Sequence, residues 1–152
     1  MQPEVGSDVS LEGEMMPGRA TYPATQIAAC RAEMAAMTAA WRAVAARSQA
    51  KARSEVEAQV FNQMAVALEG WFVQPLRGVE GCHGTAMNEV RLLALGVRVN
   101  GGYFPSDHSI LWQSAASVTG YGAGDRISLS EPVFSRLAVA YLDAVAVTFA
   151  DA

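Results

Sequence analysis

The sequence predicts a mainly α-helical domain, a four- or five-helix bundle, with a short β-hairpin as one reading of residues 103–129. Three observations carry that expectation. Apolar residues recur at steps of three and four in four separate stretches, recognisable helix starts precede three of them, and alanine fills many positions between.

Residues 1 to about 23 contain Pro3, Gly6, Gly13, Pro17, Gly18 and Pro23 with acids between them and no apolar period. Such a stretch reads as an extended arm, 1–23, preceding a single helical domain, 24–152. Such an arm is first expected to be a frayed terminus; Val5, Val9, Leu11, Met15 and Met16 keep open the alternative, an arm draped over a neighbouring subunit.

From Thr25 the character changes. Ile27, Cys30, Met34, Met37, Trp41 and Val44 alternate three- and four-residue spacings, as a helical seam requires, and predict a first helix over 24 to about 48. The seam is too short for an isolated coiled coil, so it is read as one side of a bundle. Ser54-Glu55-Val56-Glu57 matches a capping box and predicts the start of a second helix. Its apolar face, Val56, Val60, Phe61, Met64, Leu68, Trp71 and Phe72, continues until Pro75. One continuous helix over 25–74 is the alternative.

Gly78, Gly81 and Gly84 surround Cys82-His83, and Thr85 then caps a third helix through Val90, Leu92, Leu93, Leu95 and Val97 to Asn100-Gly101-Gly102. Ile110-Leu111-Trp112 and Ile127-Ser128-Leu129 read either as hairpin strands around Gly120–Gly124 or, with Asp107 as a cap, as a short helix through Val118. Ser130 before Glu131-Pro132 starts the last helix, whose buried stripe is Phe134, Leu137, Ala138, Tyr141, Val145 and Phe149.

At 152 residues, 51% hydrophobic and 17% charged, the chain can form one ordered core. It has no uninterrupted apolar run of about 20 residues and no secretory signal pattern, so a cytoplasmic protein without a membrane partner is expected. The net charge is −4, and Glu4, Asp8, Glu12 and Glu14 against Arg19 place −3 of it at the amino end. The near-neutral remainder argues against an acidic nucleic-acid mimic and against a broadly basic binder. Cys30 and Cys82 fall in unlike segments and read as free thiols.

Metal binding would need three or four convergent ligands, whereas the chain offers Cys82, His83, His108 and scattered acids. No metal and no cofactor are expected. Nucleophilic catalysis would need a base beside Ser or Cys, and phosphate binding a glycine loop with Lys; neither pattern is present, so catalysis is not the expected activity. Arg42, Arg47, Lys51 and Arg53 form a basic patch that could meet a phosphate backbone, but cations near a helix C-terminus also favour its dipole. Nucleic acid is therefore a third-ranked partner.

Asn88, Glu89 and Arg91 interrupt an otherwise apolar helix, and Asp125-Arg126 follow the glycine loop. If buried they must pair, and the expected partners are each other, Glu89 or Arg91 with Arg126 or Asp125, either as a structural network or as a ligand pocket. Asn88-Glu89-Val90-Arg91-Leu92-Leu93, Asn100-Gly101-Gly102 and Gly124-Asp125-Arg126-Ile127-Ser128-Leu129 together resemble a pattern in small uncharacterised bacterial proteins, over roughly residues 60–150. That resemblance implies no activity. The leading functional expectation is a non-catalytic helical module acting by protein–protein contact, through Ile27, Met34, Met37, Trp41 and Val44. It would be a homo-oligomer or a small subunit of a larger assembly of phage or defence type. A small-ligand pocket or enzyme site at Glu89, Arg91, Asp125 and Arg126 is the alternative.

Overall fold

The computed structural model describes residues 20–72 and 77–150. Most of the arm and Pro75 lie outside the described residues. The protein is mainly helical: α1 (Ala24–Ala45), α2 (Ala50–Gly70), a single turn α3 (Arg77–Glu80), α4 (Ala86–Val99) and α5 (Glu131–Phe149), with a 3-10 turn at Ser114–Ala116.

The four long helices share one core. α2 packs against α4, α5 meets α1, α2 and α4, and α1 also touches α2. Ile27, Cys30 and Met34 come from α1, Phe61, Met64 and Leu68 from α2, Val90, Leu92 and Leu93 from α4, and the whole expected stripe of α5 joins them. Tyr22 belongs to this core rather than to an arm. Its amide donates to the Phe149 carbonyl at 2.6 Å, and its ring meets Phe72 and Phe149 edge-on at 5.1 and 5.5 Å.

Local signals explain most boundaries. Thr85 and Asn88 form a reciprocal capping box at α4, and Ser130 accepts from the Val133 amide at α5 with proline in the first turn. α4 closes at Gly101 and Gly102, both at positive φ, with the Gly102 amide reaching back to the Gly96 carbonyl at 3.0 Å.

Other boundaries differ from the sequence expectation. α1 and α2 are separate helices broken at 46–49, and α2 begins at Ala50, four residues before the Ser54 pattern. Ser54 instead donates to the Lys51 carbonyl at 2.9 Å, and Glu57 accepts from the Glu131 amide at 3.1 Å, capping α5 from across the fold. Val44 and Val56, expected on the apolar faces, are instead exposed, at 62% and 45%.

Neither reading of 103–129 holds. Tyr103 and Arg126 form an isolated antiparallel bridge, flanked by bonds from the Phe104 amide to the Asp125 carbonyl and from the Gly124 amide to the Phe104 carbonyl. The ladder stops there because Pro105 has no amide to donate and Gly124 turns at φ 89°. The suspected strands bond elsewhere. The Leu111 amide donates to the Cys82 carbonyl, while Asn62 of α2 donates to the Ile127 carbonyl and accepts from the Leu129 amide, both at 3.0 Å. A side-chain amide thus replaces the partner strand.

α5 has 19 residues and a window of mean hydropathy 1.4, so by length and composition alone it could cross a membrane. Here its apolar stripe lies in the core.

Candidate functional site

α1 and α5 run antiparallel, as two ion pairs show: Arg31 with Asp143 at 2.7 Å toward one end and Arg42 with Glu131 at 2.5 Å toward the other. Between them lies a half-open groove of about 360 Å³. Met34, Phe134, Ala138 and Leu142 form an apolar floor, and Ala35 and Val139 stand at its rim. Thr38 is the polar exception, and its hydroxyl is satisfied by the Met34 carbonyl at 2.9 Å.

Of the exposed alanines of α1, Ala35 lines the groove, beside Arg31, Met34, Thr38 and Arg42. On α5 the exposed positions are Pro132, Arg136, Val139, Asp143 and Val147, one stripe at steps of three and four. Val139 is 56% and Val147 89% exposed.

Of the residues expected to form an interface, Ile27 and Met34 are buried in the chain's own core. Met37 and Trp41 are half-covered, with Trp41 edge-on to Phe61 at 5.6 Å, and Val44 stands free of the core. A seam chosen by its apolar spacing is thus used mainly within the monomer fold.

Asn88 and Glu89 of α4 are buried and Arg91 is partly so, but the group does not assemble as expected. Glu89 is 1% exposed and accepts from the Val118 amide at 3.1 Å, the Thr119 amide at 2.8 Å and the Thr119 hydroxyl at 2.6 Å. It anchors the 114–120 loop to α4. Arg91 pairs with the buried Glu80 of α3. Asn88 accepts from the Gly84 and Thr85 amides and donates to the Gly81 carbonyl, which holds the glycine turn against α4. Asp125 accepts from the Gly122 amide at 2.8 Å, and Arg126 lies over the Tyr103 ring at 5.8 Å. Glu89 and Arg91 therefore do not meet Asp125 and Arg126, because each finds a partner in its own neighbourhood.

A second cavity of about 380 Å³ lies between the Gly81–His83 turn, Asn88, Arg91 and Ser109-Ile110. Cys82 and His83 are exposed at its edge. The sequence Glu80-Gly81-Cys82-His83 has the Glu-x-x-His spacing used by carboxylate-bridged metal sites, but Glu80 is buried against Arg91 while His83 points to solvent. Among the described residues no three His, Cys, Asp or Glu side chains converge for a metal. Every buried side-chain nitrogen or oxygen among them has a partner.

In the basic patch, Arg42 is engaged by Glu131 and Arg53 donates to the Ala45 carbonyl at the end of α1. Two of the four cations thus serve the fold.

Sequence reasoning missed Asn62, Glu57 and Glu80, whose partners are remote or come from an unforeseen turn. No protein-family model, curated protein or solved structure matches this chain.

Proposed function

We propose that the protein is a non-catalytic helical bundle that works by protein–protein contact, with the α1–α5 face as its docking surface. It would act as a homo-oligomer or as a small subunit of a larger assembly. The occupant is a helix of a protein partner, presenting apolar residues with charges at both ends.

One observation carries this reading: the α1–α5 groove is floored by apolar side chains, edged by Ala35 and Val139, and bounded at both ends by an ion pair. A helix-in-groove contact uses that combination, small rim residues allowing close approach and terminal charges setting direction. The cations of the basic patch that already serve the fold weigh against a nucleic-acid role.

The test is affinity capture from the native host with the full chain, the Ala35→Arg variant, and an Ala67→Arg control on the exposed side of α2. Arginine at 35 fills the rim without disturbing the core. The expected result is a protein retained by the wild type and the control and lost with Ala35→Arg. Identical recovery with all three would overturn the reading.

A further inference from the structure

The exposed stripe of α5 has an order that repeats under reversal. Pro132, Arg136, Val139, Asp143 and Val147 are its members. Laid antiparallel on a second α5 with the centre between 139 and 140, Arg136 falls opposite Asp143, Asp143 opposite Arg136, and Pro132 opposite Val147. Val139 sits at the middle against Ala140. Every cross-contact is then apolar against apolar or cation against anion. That is the requirement of a two-fold interface, in which one patch must complement itself.

From this pattern we infer that the exposed α5 stripe, which adjoins the groove at Val139, packs on the same stripe of a second copy of this chain; the inference rests on the homo-oligomer proposed above and names its contact. The stripe spans about 22 Å along the helix, long enough for four turns to engage. Arg136 is exposed and has no ion-pair partner among the described residues, so it is available to a neighbour. Asp143 is 63% exposed and gives one oxygen to Arg31, leaving the other to accept from the partner's guanidinium. Val139 closes the centre of the contact and also lines the groove. The reverse, parallel arrangement would place Arg136 against Arg136 and Asp143 against Asp143. Charge thus selects the antiparallel dimer.

Sedimentation of the full chain over roughly 1 to 300 μM covers the range in which a small helix-pair interface associates. The wild type is expected to rise from the mass of one 16.1 kDa chain toward twice that value. Arg136→Glu and Asp143→Arg each place two like charges across the axis. Each is expected to weaken association by at least about tenfold. Arg136→Glu should keep its thermal transition, since Arg136 is exposed and makes no ion pair among the described residues, while Asp143→Arg also gives up the exposed Arg31 pair and should lower the transition only slightly.

An equimolar mixture of the two variants makes both cross-contacts opposite in sign, so association should return in the mixture alone. A wild type that stays monomeric throughout would overturn the inference. So would a dimer unaffected by either variant, or a mixture no stronger than its components. If the chain is monomeric while Ala35→Arg still abolishes capture of a different protein, the docking face stands and the second copy does not. If the dimer forms as described but capture ignores Ala35→Arg, the groove fails and the stripe remains.

Discussion

Removing the Glu89 carboxylate is expected to be the most costly single truncation outside the apolar core. Glu89 is 1% exposed and receives two backbone amides and one hydroxyl from the Val118-Thr119 turn. A hydrogen bond to a charged acceptor contributes about 1.5–3 kcal/mol, and a buried donor left unpaired costs about 1–3 kcal/mol. The Thr119 hydroxyl can rotate toward water, so it is discounted and the two amides dominate. Glu89→Ala should then lose about 3–4 kcal/mol, which for a domain of this size lowers Tm by about 10 °C. Glu89→Gln keeps one acceptor oxygen but turns its amide nitrogen toward a donor. About half of the loss is expected to remain. Urea unfolding gives the magnitude, and hydrogen exchange gives the location, with the Val118 and Thr119 amides losing protection before those of α4. A loss below about 0.5 kcal/mol with both amides still protected would refute the anchoring argument.

Three further outcomes test the packing. A Cβ on Gly96 would lie 2.5 Å from the Ile127 side chain and 2.6 Å from the Tyr103 carbonyl, which is held by Asn100; Gly96→Ala should therefore destabilise. Overpacking of about 1–3 kcal/mol exceeds the gain of about 1 kcal/mol in helix propensity, and a higher Tm would contradict the close approach. Asn62→Leu strands the Ile127 carbonyl and Leu129 amide and should cost about 2–4 kcal/mol in urea unfolding, without unfolding α2 locally. Native protein should titrate one thiol, exposed Cys82, and a second only in denaturant, because Cys30 is fully buried.

The same burial raises the Cys30 thiol from its ordinary 9.0 to about 11, and burial raises the Tyr141 phenol as well. The folded chain holds these protons more tightly than the unfolded chain. Their contribution is complete below about pH 9 and, for Cys30, lost as pH rises through about 11; Cys30→Ala should flatten the alkaline fall in stability measured by denaturant unfolding.

Features closed within one helical turn were legible in the residues. Thr85 and Ser130 cap because their hydroxyls reach amides three residues on, and Asn100-Gly101-Gly102 ends α4 because glycine accepts positive φ without cost. The α5 stripe was legible for a related reason: a helix surrounded by other helices must bury the row that recurs at its own period. Ser54-Glu57 shows where that logic fails. A glutamate oxygen accepts equally well from an amide in its own turn or from Glu131, 74 residues away, and only packing decides which is near.

The candidate site divides along the same line. Burial of Asn88 and Glu89 followed from their place on an apolar helix, whereas their partners depended on which turn was folded against them. The groove itself belongs to neither helix, since its lining is shared between α1 and α5 and its two ends are crossed by Arg31–Asp143 and Arg42–Glu131.

What the amino-acid order determined alone was therefore the helices, their caps and their apolar rows, because those rest on contacts within four residues. The tertiary structure decided the loop that stands where a hairpin was expected, the anchors Asn62 and Glu89, and the face left open on α1 and α5. Each of those is a competition between near and distant partners of equal chemistry, and proximity in the folded chain settles it.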